Sequence, residues 1–232
     1  VRAVKLFCFP HAGGGTAMFN DWGRALGPRV EVMPVDIADR ERFETLPALV
    51  RDVHDQLGAQ LDGPYAFFGH SFGALVAYRL ACLRMEERLP LPTALVLSSY
   101  AAPHLPPPIP AASDLDDHRL AALLGDLGGI PAELAEWPAL RDAASAAARN
   151  DLRLCGTDDD DADCVLPCAI HVLGGSEDPL VAESDLAEWR GRTSGQFSVQ
   201  LVPGGHFYLN DGAQLFSVLR PLISASALGA KC

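Results

Sequence analysis

Three residues carry the chemistry of a nucleophile, a base and an acid, and each sits in a glycine-containing turn. Ser71 lies in Gly69-His70-Ser71-Phe72-Gly73, Asp178 in Gly174-Gly175-Ser176-Glu177-Asp178-Pro179, and His206 in Pro203-Gly204-Gly205-His206. A serine hydroxyl is a weak nucleophile until an imidazole takes its proton, and the imidazole needs a carboxylate to fix its tautomer. The G-x-S-x-G spacing suits a tight strand-to-helix turn that exposes the serine hydroxyl, with the glycines permitting close approach of strand and helix. Glu177 is the rival acid, but the Asp178-Pro179 pair makes the more easily fixed turn. The set predicts acyl chemistry through an acyl-serine, with Ser71 as nucleophile, His206 as general base and Asp178 as the acid that orients it.

Such chemistry needs donors for the oxyanion of the tetrahedral intermediate. One is the N–H of the residue after the nucleophile, Phe72, and the second comes from an early strand–helix loop. Pro10-His11-Ala12-Gly13-Gly14-Gly15 follows an apolar run directly and turns several N–H groups toward one point. Ala12 is the expected second donor, with Gly13 next; a plain flexible turn is the alternative. The loop is neither a P-loop nor a dinucleotide fingerprint, since no Gly-Lys-Ser/Thr follows and the glycines are consecutive. His11 could orient this backbone. His70 is expected to pack locally, because neighbouring side chains at such a turn diverge, and His54 to be solvated on the polar side of a helix.

Positioning these loops requires strands that end in them. Val4–Phe9, Val30–Val35, Pro64–Phe68, Thr93–Leu97, Cys168–Leu173 and Phe197–Val202 read as strands. Leu46, Leu49, Val50, Val53, Leu57 and Leu61 mark an amphipathic helix, and Ala74 to Met85 a helix apolar nearly all round. Ser184 is placed as the cap of a later helix, and a closing helix starts at Asn210 or Asp211. Strand–helix alternation predicts an α/β fold: a mostly parallel sheet with helices on both faces, in one domain over 1–232. The loops at the strand carboxyl ends then gather Ser71, Asp178 and His206 on one edge. Their chain order, Ser, Asp, His, is that of the α/β-hydrolase fold.

The alternation breaks at Ala101. A proline-rich connector leads into helical patterns at Leu115–Leu127, Ala132–Trp137 and Ala139–Leu154, so residues 103–155 are expected to form a helical lid. Ala143-Ala-Ser-Ala-Ala-Ala148 has little side-chain bulk; it would let a slender substrate chain pass, or is simply a helix built from a strong helix former.

Bulk properties exclude other classes. The net charge of −12 argues against nucleic-acid binding, and no apolar run is long enough to cross a membrane. Val1–Phe9 has no signal-peptide pattern, so a cytoplasmic location is expected. Cys8, Cys82, Cys155, Cys164, Cys168 and Cys232 include no CxxC pair, which predicts reduced thiols and no metal. The acidic run Asp158–Asp161 with Asp163 lacks EF-hand spacing and reads as a solvated loop.

Five ordered blocks resemble the type II thioesterases, the stand-alone editing hydrolases of polyketide and nonribosomal-peptide synthesis. They are Leu6–Gly14, Phe68–Ala74, Ala102–Pro106, Leu173–Val181 and Pro203–Phe207, with Leu127–Leu134 of the lid also similar. Val35–Arg42 follows the family's proline-glycine-arginine loop only loosely. The resemblance places nucleophile, acid and base on Ser71, Asp178 and His206. It implies hydrolysis of stalled acyl groups from the phosphopantetheine arm of an acyl or peptidyl carrier protein, with no cofactor of the enzyme's own. Carrier proteins are generally acidic, so Arg40, Arg42, Arg79, Arg84 and Arg88 are candidates for a local basic patch. The fatty-acid-synthase chain-releasing thioesterases share the motifs, and a carboxylesterase, an acyltransferase or a silent binding module on the same fold are the other readings.

Overall fold

The computed structural model describes residues 3–37, 39–108, 115–129, 137–158 and 164–229. Six strands form one sheet: β1 (Val4–Phe9), β2 (Val30–Pro34), β3 (Tyr65–His70), β4 (Ala94–Ser98), β5 (Ala169–Gly175) and β6 (Phe197–Val202). All pair in parallel, in the order β2-β1-β3-β4-β5-β6. The central strands β3 and β4 are buried along their whole length, which explains why they read as continuous apolar runs without alternation.

Period-two geometry divides each strand between two cores. Phe7 and Phe9 of β1 and Phe67 of β3 join one core with α2 (Leu46–Leu57) and α3 (Phe72–Glu86). Leu6, Cys8, Ala66 and Phe68 face the other, packed by α1 (Trp22–Leu26) and the closing helix α7 (Gly212–Gly229). Full burial of a Phe is worth about 1.5–3 kcal/mol, so Phe7, Phe9, Phe67 and Phe68 are major anchors of the sheet.

Among the described residues between β4 and β5 are α4 (Asp117–Leu127) and α5 (Pro138–Cys155), where helical patterns were expected; Ala132–Glu136 lies outside the described residues. Asp116 caps α4 by accepting the Arg119 N–H at 2.8 Å, and α5 begins on proline, whose missing N–H costs nothing there. A short α6 (Glu183–Ala187) follows β5. Its N-cap is Ala182, not Ser184: the Ala182 N–H donates to Asp185 Oδ2 at 3.1 Å, and Ser184 lies inside the helix.

The reading of all cysteines as reduced thiols is overturned for one pair. Cys82 on α3 is bonded to Cys164, and Cys8, Cys155 and Cys168 remain free. A separation of 82 residues hid the pair from local spacing. The chain leaving α5 returns along α3, where the Tyr78 hydroxyl donates to the Cys164 carbonyl at 2.5 Å and Arg79 holds Asp158 with two hydrogen bonds of 2.7 Å. Residues 159–163 of the acidic run lie outside the described residues.

Candidate active site

Strand order creates the site. From β1 the chain moves outward to β2, then returns across β1 to start β3, so the loops after β1 and β3 diverge and leave a crevice between them. The glycine-rich loop and the serine turn occupy its two sides. Ser71 has φ 53° and ψ −121°, a conformation that costs a non-glycine residue about 1–3 kcal/mol. Its backbone is held by its neighbour: the register pairs His70 with Ser98, and the Ser71 N–H donates to the Ser98 carbonyl at 2.7 Å. The flanking glycines are required by space. A Cβ on Gly73 would lie 2.6 Å from the Pro10 carbonyl oxygen, and one on Gly69 would lie 2.6 Å from Ala74 Cα.

Ser71, His206 and Asp178 come together from three separate turns. His206 Nε2 lies 3.2 Å from Ser71 Oγ, and His206 Nδ1 lies 2.8 Å from Asp178 Oδ2. A carboxylate can only accept, so Nδ1 carries the proton and Nε2 is free to accept from the serine. Both side chains of the His206–Asp178 pair are almost wholly removed from solvent. Burial pushes the Asp178 carboxyl up, but bonds from His206, the Leu180 N–H and Ser99 outweigh it and hold the pKa below its usual value. The Leu180 N–H reaches Asp178 Oδ1 at 2.9 Å, a bond Glu177 does not receive; Glu177 is not part of the cluster.

In the glycine-rich loop, two of three consecutive N–H groups are already used. The Gly13 N–H donates to Asp151 Oδ2 at 2.8 Å and the Gly14 N–H to the His11 carbonyl at 2.9 Å. The Ala12 N–H makes no hydrogen bond among the described residues. Phe72 is the first residue of α3, where an N–H has no intrahelical acceptor.

The other histidines separate by surroundings. His70 is buried, its Nδ1 2.9 Å from Ser98 Oγ, which in turn lies 2.7 Å from the Tyr208 hydroxyl; its ring packs 5.3 Å from that of His206. Burial, then the neighbouring His206 and His11, push its pKa well down. Burial and His206 lower His11 to about 4, against the Gly129 backbone, which pulls the other way. Both imidazoles are therefore neutral beside His206. His54 is not solvated as expected: it is largely covered, with Nε2 3.2 Å from the Arg84 guanidinium. His171 pairs with Ser198 at 2.8 Å.

Of the arginines expected to form a basic patch, three are committed inside. Arg40 is paired with Asp151, Arg79 with Asp158, and Arg84 donates to the Tyr65 hydroxyl at 2.9 Å and the Pro90 carbonyl at 3.0 Å. Arg42 is half-exposed and bonded to Asp52, and Arg88 is exposed.

The alanine run of α5 has two uses. Ala144 and Ala148 let the helix backbone touch the glycine-rich loop: a Cβ on Gly13 (φ 73°) would lie 2.8 Å from the Ala144 carbonyl oxygen and 2.9 Å from Ala148 Cβ. Ala143, Ala146 and Ala147 instead line a cavity of about 530 Å³ with Gly13, Gly14 and Ile37. On the far side of the loop, His11, Met18, Gly129, Ala144 and Phe207 line another of about 430 Å³. Beside Ser71 itself, Phe72, Tyr100, Pro107, Pro108, Leu152 and Cys155 enclose a crevice of about 10 Å³.

A serine–histidine–carboxylate line beside N–H groups that make no hydrogen bond among the described residues has the parts that acyl hydrolysis requires, and the sequence relatives narrow the acyl bond. A model of the thioesterase domain matches residues 4–225. The chain belongs to the thioesterase family. As a member, it is a hydrolase acting on thioesters. It is 33% identical to the thioesterase PikA5 of Streptomyces venezuelae over 90% of this chain and 76% of that protein. It is 34% identical to the human medium-chain S-acyl fatty acid synthase thioesterase, over 90% of this chain and 82% of the human protein. RedJ, the thioesterase of prodiginine biosynthesis in Streptomyces coelicolor, superposes with a TM-score of 0.86 at 34% identity, covering 97% of this thioesterase and 86% of RedJ.

Asp151 was missed in the sequence. It is fully buried at the centre of the contact between α5 and the glycine-rich loop. Burial pushes its carboxyl above the usual value, opposed by Arg40 and the Gly13 N–H. The signal was present: Ala144, Ala148, Asp151 and Cys155 fall on one face at helical spacing, so an acid stood in an otherwise apolar stripe.

Proposed function

We propose that this thioesterase removes stalled or aberrant acyl groups from the phosphopantetheine arm of an acyl or peptidyl carrier protein in polyketide or nonribosomal-peptide synthesis. The observation that carries the reading is the Ser71–His206–Asp178 line, at 3.2 and 2.8 Å, in a chain of the thioesterase family. Ser71 Oγ attacks the thioester carbonyl as His206 Nε2 takes its proton, and Asp178 stabilises the imidazolium. The oxyanion is received by the Ala12 and Phe72 N–H groups. As the tetrahedral adduct collapses, the C–S bond breaks and the pantetheine sulfur leaves as thiolate, a better leaving group than alkoxide because a thiol ionises near pH 8.5. His206 gives up its proton, then takes one from the water that attacks the acyl-serine, and returns it to Ser71 as the free acid departs.

The lid role expected for residues 103–155 belongs to the same proposal. Its support is that Pro107, Pro108, Leu152 and Cys155 wall the crevice beside Ser71. A panel of acyl carrier proteins, assayed beside matched oxyesters, tests the substrate class; faster cleavage of the oxyesters would refute it. Fluorophosphonate labelling that disappears in Ser71→Ala tests the nucleophile, and an unlabelled native chain would favour a silent binding module.

A further inference from the structure

The glycine-rich loop is gripped by α5, and one residue of that helix provides the grip. Asp151 Oδ2 accepts the Gly13 N–H at 2.8 Å and also pairs with the Arg40 guanidinium. Arg40 in turn donates to the Gly14 carbonyl at 2.6 Å and, through Nε, to the Ile37 carbonyl at 2.7 Å. One carboxylate thereby fixes a donor and, through arginine, an acceptor on successive residues of the loop. The peptide unit after Ala12 cannot rotate without breaking the Gly13–Asp151 bond, and the unit before it, which carries the Ala12 N–H, is held by the His11 carbonyl, which accepts the Gly14 N–H at 2.9 Å. The Ala12 N–H is left without a hydrogen bond among the described residues.

A carboxylate on the Gly13 N–H also decides which donor serves the substrate. Were that bond absent, Ala12 and Gly13 would both be open and the loop could settle with either N–H toward Ser71. With it, Gly13 is withdrawn. We propose that Asp151 is a positioning residue for the oxyanion hole, holding the glycine-rich loop from α5 so that the Ala12 N–H, and not that of Gly13, meets the developing oxyanion. It acts through the loop and touches no reacting atom. The inference rests on the acyl-serine chemistry proposed for Ser71.

A positioning residue of this kind matters when charge develops on the carbonyl oxygen and little before, so its removal separates kcat from KM. The test compares Asp151→Asn and Asp151→Ala with the native thioesterase on one acyl-pantetheine thioester, below the melting temperature of every variant. Two probes accompany the kinetics: an acyl trifluoromethyl ketone, to which Ser71 adds to form a charged tetrahedral adduct, and the matching thioether, which has no carbonyl to charge. Asp151→Ala should lower kcat about 100-fold, the size of one misplaced oxyanion donor, with KM changed less than about threefold. Trifluoromethyl ketone affinity should fall by a similar factor and thioether affinity should hold. Asp151→Asn should fall between native and Ala, because its amide oxygen still accepts the Gly13 N–H but carries no charge for Arg40.

Should Asp151→Ala fail to fold, Asp151→Asn and Arg40→Gln carry the comparison, Arg40→Gln freeing the Gly14 carbonyl. Unchanged kcat and ketone affinity in folded variants would overturn the proposal. So would equal losses for ketone and thioether, which report a damaged fold. Failure of the underlying reading looks different: the native chain itself would neither hydrolyse the thioester nor label with fluorophosphonate.

Discussion

Gly13→Ala tests the contact on which the site's geometry depends. Gly13 has φ 73°, and an L-residue held in the left-handed region loses about 1–2 kcal/mol. The added methyl would lie 2.8 Å from the Ala144 carbonyl oxygen, 2.9 Å from Ala148 Cβ and 3.0 Å from the Ala148 amide nitrogen. Two of these are backbone atoms inside α5, so they move only with the helix, and overpacking of this kind costs about 1–3 kcal/mol. Together the two effects come to roughly 3 kcal/mol, or a fall in Tm of about 6–12 °C for a domain of this size. The loop can escape the clash only by shifting, which carries the Ala12 N–H off its target and lowers kcat by about 10²–10³. Differential scanning fluorimetry and steady-state hydrolysis of an acyl-pantetheine thioester measure both. Gly23→Ala is the control: Gly23 lies inside α1 with nothing near its missing Cβ, and it should gain a few tenths of a kcal/mol with unchanged kcat. A Gly13→Ala thioesterase with native Tm and kcat would refute the reasoning.

Ala147 lines the 530 Å³ cavity beside Gly13 and Gly14, so Ala147→Trp should raise KM about tenfold if a substrate chain uses that space, and steady-state kinetics with unchanged KM would show it does not. Asp178→Asn should cut kcat by about 10⁴ through the wrong His206 tautomer, measured by thioester hydrolysis. The same substitution has a pH signature. Because the native carboxyl titrates below its ordinary value, its stabilisation is complete above about pH 4 and fades as pH falls through the native pKa. The Tm gap between Asp178→Asn and native protein, followed by thermal unfolding, should therefore narrow in acid. Reducing Cys82–Cys164 releases a loop spanning 82 residues, for which chain entropy gives about 4.5 kcal/mol, so denaturant titrations with and without reductant should differ by several kcal/mol.

The strands and the three turns that bring Ser71, Asp178 and His206 together were legible because each is local. A strand's apolar run, a glycine-flanked serine and a histidine after the last strand all declare themselves within a few residues. Strand ends moved by at most two residues; β3 runs through His70, beyond the Phe68 at which its apolar run stops, because Gly69 and His70 pair with Leu97 and Ser98 on β4. Long-range pairings were silent. Nothing near Asp151 announces Arg40, 111 residues earlier, and nothing near Cys82 announces Cys164. The arginines misled for the same reason: charge is visible in sequence, but the burial of Arg79 against Asp158 and of Arg84 under Pro90 is a property of the packed helices.

The cross-link between α3 and the segment after α5 makes a closed ring of backbone that contains β4, α4 and α5. A protease that cuts between residues 83 and 163 would therefore release nothing: the two halves stay one molecule until a reductant separates them. On a gel, such nicking is invisible without reductant and appears as two fragments with it. The ring also sets a limit on how far the helical segment beside Ser71 could move. One end is continuous with α3 through β4 and the other is riveted back onto α3, so any movement of the segment would be that of a hoop fixed at both feet on the helix that follows Ser71.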